Sequence, residues 1–282
     1  MPAAPGYNRA YMKTPTSGRP WRPSSLIVAA WVVHPGALAA WLVWPDSWPW
    51  GLAALVACHI ALTGAGLWPR SRLLGPNLTR LPAAAAKRGE VALTIDDGPE
   101  PSVTPAVLDL LDRYAARASF FCIGERAAAH PALIAEIVRR GHTVENHSHG
   151  HRHHFSLFGP ARIRRDLEQA QRVLAGLAGS APHFFRAPAG LRNPFLEPVL
   201  AHLGLHLASW TRRGFDTREG DPDKVLTRLT RDLAAGDILL LHDGHGARSP
   251  NGRPVILDVL PVLLDSLRAA GLHSVTLRQA LQ

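Results

Sequence analysis

From residue 90 to the C-terminus, short apolar segments alternate with helical ones, and no other feature limits the fold of this chain so strongly. The pattern predicts strands over residues 91–95, 118–122, 142–145, 183–186, 205–209, 238–241 and 273–275. Helix signals lie between them. Pro105, Pro131, Pro160 and Pro222 stand in first turns, where a missing N–H costs nothing, and Gly141, Gly204 and Gly236 follow last turns. Strands alternating with helices argue an α/β fold with a parallel sheet. Seven units suit either a barrel slightly short of eight or an open doubly wound sheet.

Polar groups gather just past the C-terminal ends of four of these strands. They read Thr94-Ile95-Asp96-Asp97-Gly98, Asn146-His147-Ser148-His149-Gly150-His151, Arg186-Ala187-Pro188-Ala189-Gly190 and Leu240-Leu241-His242-Asp243-Gly244. That edge is where parallel α/β folds build their sites. The residue types suit a metal hydrolase. His147 and His151, four apart, can aim at one ion from a helical turn or a tight loop, and Asp97 adds a carboxylate. Two imidazoles and one carboxylate leave positions open, as a catalytic zinc site requires. Asp96 is then placed to take a proton from water, and His242 to give one to a leaving nitrogen.

Each signal is weak alone. An Asp-Asp-Gly is usually a turn, an H-x-x-x-H pair usually binds nothing, and Arg186 by itself reads as structural. His142, His149, His153 and His154 read as loop histidines. The ordered set, each member at a strand end, is what carries the metal-site reading.

The set TIDDG, HSHGH, RAPAG and LLLHDG resembles the polysaccharide deacetylase family, the NodB-homology domain of carbohydrate esterase family 4, over about residues 88–280. The resemblance implies a distorted (β/α)7 barrel. It implies hydrolysis of acyl groups on amino sugars with a divalent metal, often Zn2+. Carried over by motif, Asp97, His147 and His151 hold the metal, Asp96 is the general base, Arg186 orients it, and His242 is the general acid. Leu240 lines the pocket for the acyl methyl, with Pro188, Trp210, Arg213 and Asp216 as further substrate-binding positions. A backbone N–H after the first motif joins the metal in stabilising the oxyanion.

The resemblance breaks at two places. The family's D-x-x-D-W pattern meets Arg213, Asp216 and Thr217 here. The acid that usually tunes the acid histidine is therefore replaced by Arg213, and His242 is left without an assigned partner. The third motif is RAPAG where RPPYG is common, so an aromatic is lost. Both changes point away from a long, stacked polysaccharide chain. Arg212 and Arg213 are candidates to meet a phosphate; facing solvent or pairing with Asp216 or Glu219 is the structural alternative.

The N-terminal third is of another kind. The chain's formal net charge is +9, yet residues 1–90 hold nine of the 31 Lys and Arg and two of the 22 Asp and Glu. Most of the excess therefore lies outside the catalytic segment. Between Arg22 and Arg70 the one formally charged residue is Asp46. Residues 26–44 and 51–68 are each near the length needed to cross a hydrocarbon core, and tryptophans crowd the turn between them. A transmembrane hairpin fits better than two core helices, because the segments are apolar on all faces. It fits better than a cleaved signal, because a second span follows at once. Pro35-Gly36 should kink the first span.

The expected organisation is a basic segment (1–24), the hairpin (25–68), a linker (69–89) and the hydrolase domain (90–282). Arg9, Lys13, Arg19 and Arg22 precede the spans and Arg70, Arg72 and Arg80 follow them, so the positive-inside rule puts the catalytic domain on the cytoplasmic side of the membrane. Cys58 and Cys122 form no CxxC, which removes thiolate zinc sites.

These features lead to a membrane-anchored deacetylase acting on an amino-sugar glycan or lipid-linked sugar, with membrane lipids as neighbours. The competing reading is a tethered glycan- or lipid-binding protein with an inactive site. A nucleic-acid partner is not expected, since the segment after residue 90 has little net charge and no basic helix or aromatic platform.

Overall fold

The structure is a computed structural model that describes residues 18–282. Arg9 and Lys13 of the basic segment lie outside the described residues. All seven expected strands form: β1 (Glu90–Asp96), β2 (Ser119–Cys122), β3 (Thr143–Asn146), β4 (Phe184–Phe185), β5 (His206–Leu207), β7 (Ile238–His242) and β8 (His273–Val275). An eighth, β6 (Arg212–Arg213), was not foreseen. β4 and β5 are as short but lie in apolar segments, whereas Arg212 and Arg213 give no apolar signal, so only pairing with β7 reveals β6.

All pairs are parallel. The order is β5-β4-β3-β2-β1-β7-β6, with β8 also on β1. β1 is central: Thr94, Ile95 and Asp96 pair with β2, while Glu90, Val91 and Ala92 pair with β8. The sheet curls into an incomplete barrel, and among the described residues β5 and β6 do not pair.

Strand alternation divides the core in two. On β1, Val91, Leu93 and Ile95 face the outer layer, and on β7 Leu239 and Leu241 do the same. There they meet the helices, including α4 (Thr104–Arg113), α7 (Pro160–Ala178) and α10 (Val255–Ala269). The opposite face turns inward. Ala92, Phe121, Phe184, Ala208, Trp210, Ile238 and Leu240 fill the barrel interior. Because the side-chain period is two, Thr94 and Asp96 share a face with Ala92, and His242 shares one with Leu240. The sequence thus delivers apolar residues low in the barrel and polar ones at its rim.

Residues 69–89, expected as a linker, are instead part of the fold. Leu78 lies in the open seam, its N–H donating to Leu207 O and its carbonyl accepting from Ser209 N, both at 2.9 Å. Thr211 Oγ1 donates to Thr79 O, and Leu81 N to Gly236 O. Leu78, Leu81 and Ala85, the last on α3 (Ala83–Lys87), are buried in the barrel interior. The Pro, Arg and Ala content of this stretch hid its role, which is to satisfy a sheet edge that closure would otherwise cover.

Upstream, α1 (Ser25–Val43) and α2 (Trp48–Leu67) form an antiparallel pair, and α1 runs through Pro35 as a continuous helix. Both are long and apolar enough to cross a membrane. Most of their large side chains, among them Trp31, Trp41, Trp44, Trp48 and Trp50, are exposed. The pair is tied to the barrel at one end. Arg192 N donates to Gly66 O, Ser24 Oγ to Leu73 O, and Ile27, Ala65 and Leu74 form a small shared core.

Candidate active site

Asp96 ends β1, and Asp97 begins the turn that follows with φ 74°. Both are buried. Positive φ recurs at Ser148, His151, Ala189, Phe215 and His245, all on loops at this end of the sheet. Such conformations cost of order 1–3 kcal/mol each, and here those at Asp97, His151, Ala189 and His245 place residues in the lining of one cleft of about 180 Å³.

The His147–His151 segment is a loop, not a helical turn. Asn146 Oδ1 accepts from Ser148 N, Ser148 Oγ accepts from His151 N, and Asp166 Oδ1 accepts from His149 N, each at 2.9 Å. These bonds fold the chain back so that both rings converge on Asp97. His147 Nε2 and His151 Nε2 each lie 3.1 Å from Asp97 Oδ1. His147 Nδ1 donates to Arg186 O at 2.9 Å, so its proton is committed there and Nε2 is a free lone pair. The buried Asp97 Oδ1 has no hydrogen-bond partner. The His147 lone pair, the His151 ring nitrogen and an orphaned carboxylate oxygen around a common point are the donor set a divalent cation would complete. Burial lowers the pKa of His151, which favours its neutral, ligating form.

Asp96 has a separate anchor. Arg186, almost fully buried, donates from Nη1 to Asp96 Oδ1 at 2.6 Å and to Thr94 Oγ1 at 2.9 Å. Its Nε and Nη2 donate to Ala208 O and Ser209 O, and its guanidinium lies 4.1 Å over the Phe121 ring. One oxygen of Asp96 is thereby fixed and the other turned toward His147, 3.8 Å away.

His242 stands opposite. Its Nδ1 lies 2.9 Å from Asp216 Oδ1, and its backbone N–H donates to Asp216 Oδ2 at 2.7 Å. Burial alone would lower its pKa; the charge and hydrogen bond of Asp216, then the charges of Asp96 and Asp97, raise it to about 9. Asp216, expected at the substrate, is therefore the partner of His242. Its two oxygens are used, and it does not line the cleft.

Leu240, Trp210 and Arg213 line the cleft as expected. Pro188 does not: it is buried, and the wall is made by Ala187, Ala189 and Gly190. Arg212 turns away, held by Asp237 and by the carbonyls of Arg231 and Asp232. His149 packs behind its loop, its Nδ1 2.5 Å from where a Cβ on Gly124 would stand.

Three residues were missed. His245 Nδ1 is 3.2 Å from Asp97 Oδ2, and Arg126 donates to its Nε2, which places the ring proton on the Asp97 side. Thr94 completes the Arg186 cage. The spacing of His245 from His242 was the available signal for the first; Thr94 opens the first motif and shares a strand face with Asp96, and nothing in the sequence marks Arg126.

Comparison with known proteins agrees with this geometry. The family description "Polysaccharide deacetylase" matches residues 83–208. A peptidoglycan-N-acetylglucosamine deacetylase of Bacillus cereus is 30% identical over 194 residues, 68% of this chain and 88% of that protein. A chitooligosaccharide deacetylase of Bradyrhizobium sp. is 35% identical over 156 residues, 55% and 71% of the two chains. This chain belongs to the polysaccharide deacetylase family. Among solved structures, the family 4 carbohydrate esterase of Streptomyces lividans, in complex with acetate, superposes with a TM-score of 0.59 at 33% identity, covering 66% of this deacetylase-family chain and 91% of the esterase. The incomplete parallel barrel is thus the fold of the family.

Proposed function

We propose that this chain is a metal-dependent hydrolase that removes an acetyl or similarly small acyl group from an amino sugar. One observation carries the reading. Asp97, His147 and His151 converge at one point, with the Arg186-held Asp96 on one side and the Asp216-held His242 on the other, all in one cleft. The names of the relatives, peptidoglycan and chitooligosaccharide deacetylases, support the substrate class.

A divalent cation, Zn2+ being the best match to two imidazoles and a carboxylate, would polarise the acyl carbonyl and acidify the attacking water. Asp96 accepts the proton of that water through its free oxygen. Arg186 keeps Asp96 ionised and fixes its direction by a charged hydrogen bond. His242, protonated at neutral pH by virtue of Asp216, faces the cleft to give its proton to the leaving amine. Leu240 and Trp210 form an apolar wall for a small acyl group.

The two apolar helices, their exposed tryptophans and the flanking arginines support attachment to a membrane with the cleft on the cytoplasmic side. A reporter fused after Gln282 tests the side: activity confined to the exterior overturns it. The hydrolase reading is tested with the full chain in detergent, supplied with Zn2+ and N-acetylated chitooligosaccharide. Acetate release that disappears in Asp96→Asn is expected. No release from any N-acyl amino sugar by cation-loaded protein overturns the proposal and leaves a tethered binding protein.

A further inference from the structure

The geometry points to a phosphate-binding subsite made by Arg213 and Arg218 beside the acyl-cleaving cleft, so that the substrate is an N-acylated amino sugar carrying a phosphate ester. The inference rests on the hydrolase reading above and adds the class of sugar.

Arg213 lies on β6, paired in register with Leu240 at the floor of the cleft. Its guanidinium lies over two rings, Cζ 5.3 Å from the Trp210 ring centroid and 4.9 Å from that of Phe215. These cation–π contacts hold the guanidinium in place and leave its N–H groups as the ones that bind. Those groups have no protein partner: Arg213 makes no ion pair or hydrogen bond among the described residues, and its Nε is a buried donor left unsatisfied. Burial lowers its pKa, the sign of a charge held at a cost, although a guanidinium remains charged.

The other cations of the site are accounted for. Arg186 is matched by Asp96, His242 by Asp216 and Arg212 by Asp237. Arg218 lines the same cleft, forms no ion pair among the described residues, and is near enough to Arg213 to repel it. Asp216, the acid nearest in sequence, has both oxygens committed to His242. Thr217 adds a hydroxyl to the lining between them. Two neighbouring guanidiniums, one of them partly desolvated and neither in contact with an acid, although the charges of Asp216, Asp96 and Asp97 act on Arg213 from a distance, are complementary to a doubly charged, multidentate oxyanion. A carboxylate would satisfy one fork; a phosphate has oxygens for both.

The phosphate can come from a soluble sugar phosphate or from a lipid-linked one. The chain leaving α2 passes directly behind the cleft wall, with Pro69 against Gly190 and its carbonyl accepting from Ser209 Oγ.

The test is a binding titration of the full chain in detergent micelles, following tryptophan fluorescence or heat, with N-acetylglucosamine 1-phosphate and N-acetylglucosamine. The phosphorylated sugar should bind at least tenfold more tightly. That ratio should fall toward one in Arg213→Ala, fall partly in Arg218→Ala and survive in part in Arg213→Lys. Equal affinities in the wild-type chain overturn the subsite, as does an N-acyl sugar bearing only a carboxylate that binds as tightly as the phosphate. A prenyl-diphosphate-linked N-acetylglucosamine that binds more tightly than the soluble probe assigns the lipid source; equal binding assigns the soluble one, and both uphold the subsite. Arg218→Ala, on a less buried side chain, keeps the test decisive if Arg213→Ala does not fold. Acetate release read in parallel separates the two proposals. Phosphate preference without acyl release overturns the hydrolase reading alone, and acyl release indifferent to phosphate overturns the subsite alone.

Discussion

Asp216 grips His242 twice, through the ring Nδ1 at 2.9 Å and the backbone N–H at 2.7 Å. The contact sets both the direction of the ring and its charge. It also supplies the partner that the altered motif around Arg213 had left unassigned.

The pH dependence follows from this pair. With the pKa of His242 raised to about 9, its acid form persists through neutrality. Acyl release should fall as pH rises through the His242 value. Asp216→Asn removes the charge but keeps the shape, and should move the alkaline limb of kcat/KM downward by one unit or more. The same histidine contributes stability that is fully present below about pH 6.5 and lost as pH rises through the folded value. A pH–rate profile of the two proteins checks this, and superimposable alkaline limbs would refute it.

Cation binding and proton transfer are assigned to different residues, so variants should separate them. His147→Ala and His151→Ala should lose the cation, read by elemental analysis. Asp96→Asn should keep it at wild-type stoichiometry while kcat falls by roughly 10²–10⁴. Arg186→Ala leaves Asp96 buried without its countercharge and should destabilise the fold by about 3–5 kcal/mol, measured by denaturant unfolding.

Asp243 is a buried carboxyl outside this scheme. Burial, with a smaller contribution from the charge of Asp97, raises its pKa to about 7 even though Thr104 donates to it at 2.6 Å. A carboxyl with a raised folded pKa contributes stability that is present below its unfolded value and lost as pH rises through about 7. Asp243→Asn should therefore melt higher than wild type at pH 8, by an amount on the order of 1 kcal/mol, with the gap closing toward pH 5. An equal gap at both pH values would count against the assignment.

Leu78 plugs the seam between β5 and β6 from outside the expected domain. Leu78→Ala should cost about 2–5 kcal/mol, as for other buried leucines. Its effect on thermal unfolding should be far larger than that of a substitution at the exposed Leu73. Equal, small effects would show that residues 69–89 are a linker after all.

Much of the fold and the site is legible along the chain. Seven strands stand out because β1 and β7 must be apolar on two faces, one under the helices and one inside the barrel. Asp96, Asp97, His147, His151, Arg186 and His242 stand out because each ends such a strand or lies on the loop that leaves it, at the rim. The two apolar helices need only composition. Tertiary structure decided what depends on distant neighbours. β6 is a pair of arginines with no apolar signal and exists because Leu239 and Leu240 pair with it. Residues 69–89 read as an Arg-, Pro- and Ala-rich linker, yet they fold because an unclosed sheet edge needs their backbone. Asp216 rather than any local acid became the partner of His242, and Arg213 rather than Arg212 entered the cleft. In a two-residue strand adjacent side chains point to opposite faces, and only the finished sheet determines which face is the site.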